Sequence, residues 1–204
     1  SLIRDIENTS GFYSSFGFEK INGKIKYSFN NYIESDQYDI GDMGFIEQNN
    51  EINNTAKIAY AIFSSEEKIA KKLNLLRGFF DLSIEHKMLY KPLDYNEFIV
   101  KIDGRITNTN HLSTFFKIRY FFEEHDYFEE RANNQLFIRP PAIKIYLGTS
   151  SNYNRPISIN LGCSLKYNFS KEYPIWQEHE NLLLWGRFNP RIRINDHAFF
   201  EYVL

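Results

Sequence analysis

The sequence predicts an all-β protein, an antiparallel up-and-down meander of about ten strands in a single unit spanning residues 1–204. Three observations carry this. Apolar and polar residues alternate with period two over long stretches, as a strand with two different faces requires. The chain holds 19 Phe and 14 Tyr against 10 Gly, 6 Pro and 2 Met. About a tenth of it is Asn, a residue depleted in helix and strand interiors and favoured in turns, and the turn residues gather between the alternating stretches with no shift of composition that would mark a domain boundary.

In chain order, the first alternation runs from Phe12 to Lys20, and the second sets Ile25, Tyr27 and Phe29 against Lys24, Lys26, Ser28 and Asn30. Asn22-Gly23 lies between them and reads as a type I′ hairpin turn, because both residues tolerate positive φ. After a break at Gln48-Asn49-Asn50, Ala56, Ile58, Tyr60 and Ile62 alternate with Lys57, Ala59, Ala61 and Phe63. Ser64-Ser65-Glu66-Glu67 then fits a capping box before Ile69-Ala70-Lys71-Lys72-Leu73, which predicts one helical turn or a charged loop. Phe80, Leu82, Ile84, His86, Met88 and Tyr90 oppose Asp81, Ser83, Glu85, Lys87 and Leu89, and a weaker alternation runs from Glu97 to Asp103.

Beyond the break Thr107-Asn108-Thr109-Asn110, Leu112, Thr114, Phe116, Ile118, Tyr120 and Phe122 oppose His111, Ser113, Phe115, Lys117, Arg119 and Phe121, so charge is confined to one face. Asn133-Asn134 marks another break, and Ala142 to Leu147 a further strand. The cleanest alternation runs without an error from Ile157 to Phe169, apolar at the odd positions. That is longer than the roughly 9 to 11 residues with which a tilted strand crosses a bilayer. Two last strands are read at Leu182 to Phe188 and Arg191 to Leu204, separated by Asn189-Pro190.

Lys plus Arg number 24 and Asp plus Glu 26, a net charge of -2 that leaves no electrostatic footprint for nucleic acid. The single cysteine, Cys163, excludes an internal disulfide and a cysteine-based zinc site. No apolar run exceeds the six residues Ile58 to Phe63, whereas a membrane-spanning helix needs about 20. The start, Ser1-Leu2-Ile3-Arg4, has no basic segment followed by an apolar one, so any secretion signal is expected to have been removed or to lie outside these residues.

Long alternating strands fit a soluble sandwich, a small soluble barrel with an apolar interior, or a membrane barrel with an apolar exterior. Strand length, aromatic residues near the ends of the apolar faces (Tyr90, Tyr120, Phe122, Tyr167, Phe169) and Lys, Arg, Glu, Asn and Ser opposite them favour the last. An interfacial aromatic belt accounts for that placement, since such rings suit a boundary with one apolar and one wet side.

Two blocks add a resemblance. The segment from Tyr38 to Asn50, with Asp39, Asp42 and Gly44, and the segment Asp126-Tyr127-Phe128-Glu129-Glu130-Arg131 followed by Phe137-Ile138-Arg139-Pro140, resemble an uncharacterised outer-membrane β-barrel domain. In Gram-negative bacterial proteins that domain follows a carbohydrate-binding, family-nine-like domain. The resemblance covers roughly Gly11 to Leu204. It implies a partial transmembrane β-barrel, a fragment of a longer one, in the bacterial outer membrane. The lipid bilayer would be one partner, and the remaining strands of the same protein or another outer-membrane chain a second, with polysaccharide as a further candidate.

Nothing in the sequence has the form of an active site. His86, His111, His125, His179 and His197 share no metal-ligand spacing, and the carboxylates beside His125 and His179 are sequence neighbours that a strand turns to opposite faces. Ser164 lacks a glycine-flanked elbow, and no phosphate-cradling glycine loop exists. Neither cofactor nor metal is expected.

Asp39, Asp42, Asp126, Glu129 and Glu130 are of the right type for a hard cation. The favoured reading makes Asp39 and Asp42 turn organisers, with Glu129 or Glu130 paired to Arg131 or to an arginine of the lumen. Lys117, Arg119, Arg187, Arg191 and Arg193 are the candidate lumen residues. The expected function is therefore a non-enzymatic outer-membrane barrel segment serving transport, or a platform for a partner protein or polysaccharide handling. The alternative is a soluble β-rich glycan-binding module using Tyr173, Trp176 or Trp185 as stacking platforms.

Asp42→Ala and Arg131→Ala are predicted to lower folding yield without removing a chemical step. Yield of folded protein and hydrolase assays on it check this, and normal assembly with loss of a measurable hydrolytic activity contradicts it.

Overall fold

A computed structural model describes residues 11–38, 49–63, 68–72, 74–127, 136–169, 181–195 and 198–202. Ten strands form one antiparallel sheet: β1 (Tyr13–Lys20), β2 (Ile25–Glu34), β3 (Glu51–Phe63), β4 (Leu75–Leu89), β5 (Asp94–Asn108), β6 (Ser113–Phe121), β9 (Ala142–Ser150), β10 (Ile157–Asn168), β11 (Leu182–Arg193) and β12 (Phe199–Glu201). Each pairs with the next in chain order. The one interruption is a two-stranded hairpin, β7 (Glu124–Asp126) and β8 (Phe137–Arg139), set into the connection between β6 and β9. β1 and β12 are the sheet's two edges, so the sheet is open, consistent with a partial barrel. No described helix is long and apolar enough to cross a membrane; α1 (Lys68–Lys72) is a single turn, and the capping residues expected before it lie outside the described residues.

Register decides which faces merge. Tyr27, Ile58, Leu82, Ile102, Ile118, Ile145, Leu165 and Leu184 stand opposite one another in one unbroken row across β2, β3, β4, β5, β6, β9, β10 and β11. On the pleat's other side the adjoining row reads Lys57, Ser83, Lys101, Arg119, Lys144, Lys166 and Leu183. The sheet thus has an apolar face and a polar one, and the odd-position pattern of Ile157 to Phe169 belongs to the first.

The apolar face is the exposed one. Ile58, Leu82, Ile102 and Leu184 are 48%, 41%, 40% and 67% exposed, whereas Asn53, Leu89, Ile99, Thr107, Ala142, Ser158 and Asn189 are buried on the polar face. Among the described residues only five hydrophobic residues are buried, so the sheet packs no apolar core of its own. Four of the five aromatics read as a belt, joined by Phe98, meet along one end of the apolar face: Phe98 and Phe122 at 4.9 Å, Phe122 and Tyr120 at 4.8 Å, Tyr120 and Phe169 at 6.1 Å, Phe169 and Tyr167 at 5.2 Å, while Tyr90 lies against Phe12 at 5.6 Å.

Several local expectations are corrected. The β1–β2 loop comprises residues 21–24, in which only Gly23 has positive φ, at 95°, so the turn is not type I′. Asn189-Pro190 is no break: β11 runs straight through it to Arg193, and the expected strand from Arg191 to Leu204 reduces to β12. Pro190 is tolerated because its carbonyl accepts from the Tyr202 amide at 3.1 Å. Its nitrogen therefore also lies on the β12 side, and the missing N–H removes no bond to β10. The break after Thr107 begins later, with β5 ending at Asn108 and His111 carrying the positive φ of 62°. Asn133-Asn134 lies outside the described residues.

Two glycines on the polar face seat aromatic rings. A Cβ on Gly148 would stand 2.5 Å from Cε2 and Cζ of Phe115 and 3.1 Å from the Leu161 carbonyl oxygen, and one on Gly162 would stand 2.7 Å from the Tyr146 hydroxyl. Gly148→Ala is predicted to cost about 1–3 kcal/mol, because Phe115 is stacked on Tyr146 and cannot yield alone. Gly186→Ala, with nothing within 4 Å of its Cβ position, should change stability by no more than about 0.5 kcal/mol. Denaturant unfolding of the two variants checks the contrast.

Candidate functional site: the concave polar face

Because six strands from β4 to β11 curl about the polar face, their side chains line a single hollow of about 1070 Å³. A second hollow of about 600 Å³ continues along the same face toward β1 and shares Phe79 and Asp81 with the first. A face of alternate residues turned inward can be wet only if its charges are paired or hydrated.

Toward β3, β4 and β5 the charges are paired. Lys57 meets Asp81 at 3.2 Å, Lys87 meets Glu97 at 3.4 Å, and Lys101 is bonded to Glu85. Arg119 donates through both Nη atoms to the Asp103 carboxylate at 2.9 and 3.0 Å, a bidentate pair in which both side chains are half-buried. Tyr32 donates to Glu51 and accepts from Asn53, each at 3.1 Å, which closes the network at its β2 end.

Toward β6, β9, β10 and β11 the face changes character. Phe115, Tyr146 and Trp185 stack in a ladder, 5.6 Å and then 6.5 Å between ring centres, with planes within 28° of parallel. Lys117, Lys144 and Lys166 stand around it. The ladder exists because Gly148 lies opposite Phe115 and small Ser164 lies between Tyr146 and Trp185 in register.

A family profile for a domain of unknown function (DUF5916) matches residues 1–204. The chain belongs to this family. No curated protein and no solved structure gave a match.

Of the candidate lumen residues in this DUF5916 chain, all five lie on the polar face by register or strand parity. Lys117 and Arg119 line the larger hollow. Arg187 lies opposite Gly162, and Asn189, with its amide oriented to satisfy both groups, accepts from Arg187 Nε and Nη2 at 2.8 and 2.7 Å. Arg191 lies over the Tyr153 ring at 5.9 Å, and Arg193 donates from Nε to the Asn195 carbonyl at 3.4 Å.

The motif residues fare differently. Asp126 is on β7, where Arg139 Nη2 meets its carboxylate at 2.7 Å while Nη1 reaches Glu124 at 2.8 Å. Arg139, on the paired strand β8, is thus one partner of Asp126 in this block. Asp39, Asp42, Gly44, Glu129, Glu130 and Arg131 lie outside the described residues, as do Tyr173, Trp176, His179 and His197. At the same rim, burial and then the neighbouring Asp94 carboxylate push the Tyr127 phenol up to about 12, which keeps it a donor to the Tyr95 carbonyl at 3.0 Å.

Lys144, Lys166 and Tyr146 were not singled out from the sequence. The alternation already put Lys166 opposite the apolar residues of β10, but its adjacency to Lys144 depends on the β9–β10 register. Asp103→Asn is predicted to lower stability by about 1–2 kcal/mol, because it leaves the half-buried Arg119 guanidinium without its carboxylate. Lys117→Gln, at an exposed position, should stay within about 0.5 kcal/mol. Urea midpoints at unchanged slope measure both.

Proposed function

We propose that this chain forms part of the wall of a β-barrel in the bacterial outer membrane, not an enzyme, serving transport or acting as a platform for a partner protein or polysaccharide handling. The observation that carries this reading is orientation: the continuous apolar face is exposed on the convex side, and the ion pairs face the hollow. A soluble sandwich or lipocalin-like barrel has the reverse arrangement. An outward apolar band bordered by aromatic rings and an inward polar face are what lipid on one side and water on the other select.

The open edges belong to the same reading. In hydrocarbon each unpaired backbone group costs several kcal/mol, so β1 and β12 require partner strands, from the same protein or from another outer-membrane chain.

Leu161 and Asn160 are neighbours on β10 facing opposite sides, Leu161 42% exposed and Asn160 facing the hollow side with its amide 3.3 Å from the Tyr153 hydroxyl. Leu161→Lys is predicted to block membrane assembly, at a cost of about 2–4 kcal/mol for a charge at mid-bilayer, while Asn160→Lys assembles. Carbonate-resistant membrane fractions and heat-modifiable gel migration read the outcome. Equal damage from both substitutions would refute the face assignment, and a chain soluble without detergent would favour the glycan-binding module.

A further inference from the structure

The polar face carries an unbalanced charge at one place. Six cations line the larger hollow against two carboxylates, Asp81 and Asp103, although the chain as a whole is net -2. Asp81 is taken by Lys57 and Asp103 by Arg119. Arg105, Lys117, Lys144 and Lys166 make no ion pair among the described residues, and the carboxylate opposite Lys117, Asp103, is the one already held by Arg119. Lys144 and Lys166 are also in direct register on β9 and β10, and Arg119 is in register with Lys144 on its other side.

Like charges directly opposite on neighbouring strands repel, their Cβ atoms lying about 4.5–5.5 Å apart. Elsewhere on this face Lys57 and Lys87 each have a carboxylate. Here the fold keeps four adjacent cations in a row, Lys101, Arg119, Lys144 and Lys166, and only the first two have a carboxylate, a local conflict of the kind expected at functional sites. The stacked rings of Tyr146 and Trp185 beside them add an aromatic wall to the hollow.

We propose that the concave face between β6 and β11 is a binding site for a polyvalent oxyanion of the phosphate type, with Lys144 and Lys166 as its central ligands and Lys117 beside them. Lysine suits this role: its ammonium is a mobile point charge with three donors, able to follow an oxyanion of variable geometry. The site depends on the concavity and charge of the polar face, not on what covers the apolar one. A failure of the membrane reading therefore leaves it standing, and the reverse.

The test is titration of the purified, folded chain, in detergent if it requires it, with inorganic tripolyphosphate by calorimetry at low salt and at 0.15 M. Wild type should bind saturably, more weakly as salt rises. Lys144→Gln and Lys166→Gln should each weaken binding about tenfold, the loss of one charge-assisted contact. Lys26→Gln, outside the larger hollow, should not.

Thermal unfolding supplies a second reading that does not require binding. Without anion both lysine variants should melt at or above the wild-type temperature, because repulsion is relieved. With saturating tripolyphosphate the order should reverse. No saturable binding, equal loss in Lys26→Gln, or variants that are less stable or unfolded without anion would each overturn the proposal.

Discussion

Cross-strand register is what every other feature of this molecule depends on. Ten strands are joined by antiparallel ladders, and because side chains alternate, a slip of one residue in any ladder would carry a whole strand's apolar set to the polar face. With only five hydrophobic residues buried among those described, no packed interior would correct such a slip. Specification falls instead on the rows themselves: an aliphatic and aromatic row matched strand by strand from β2 to β11 on one side, and ion pairs between β3 and β6 on the other.

The ion pairs take on a role that a core usually has. Lys57–Asp81, Lys101–Glu85 and Arg119–Asp103 each bridge two neighbouring strands. Any one of these partly exposed pairs contributes little, but each is satisfied only in one register. Their value is thus specificity more than net stability, and Arg119–Asp103, being bidentate, is the most selective of them.

Glycine and proline placements show the same economy of position. Gly148 and Gly162 clear space where Phe115 and Tyr146 must lie against the sheet, and Pro190 occurs where its missing donor faces away from β10. The rings of Phe115 and Tyr146 could not lie as they do without those two glycines. The hollow is therefore a product of small residues on β9 and β10 as much as of the cations that line it.

Most of the strands were legible in the sequence, because a strand with two unlike faces writes its period directly into the order of residues. Ile157 to Phe169 and Leu112 to Phe122 required nothing else. Turn residues marked most boundaries, but Asn189-Pro190 misled because a proline's compatibility with a strand depends on which neighbour its nitrogen faces, a property of pairing. The pairing of Asp126 with Arg139 was likewise hidden, since it is made across a hairpin. What the sequence by itself determined is which residues share a face within each strand. Which faces join, which of them turns outward, and that Lys144 meets Lys166 beneath an aromatic ladder were decided only by the tertiary structure, because register and curvature arise between strands and no single strand's pattern contains them.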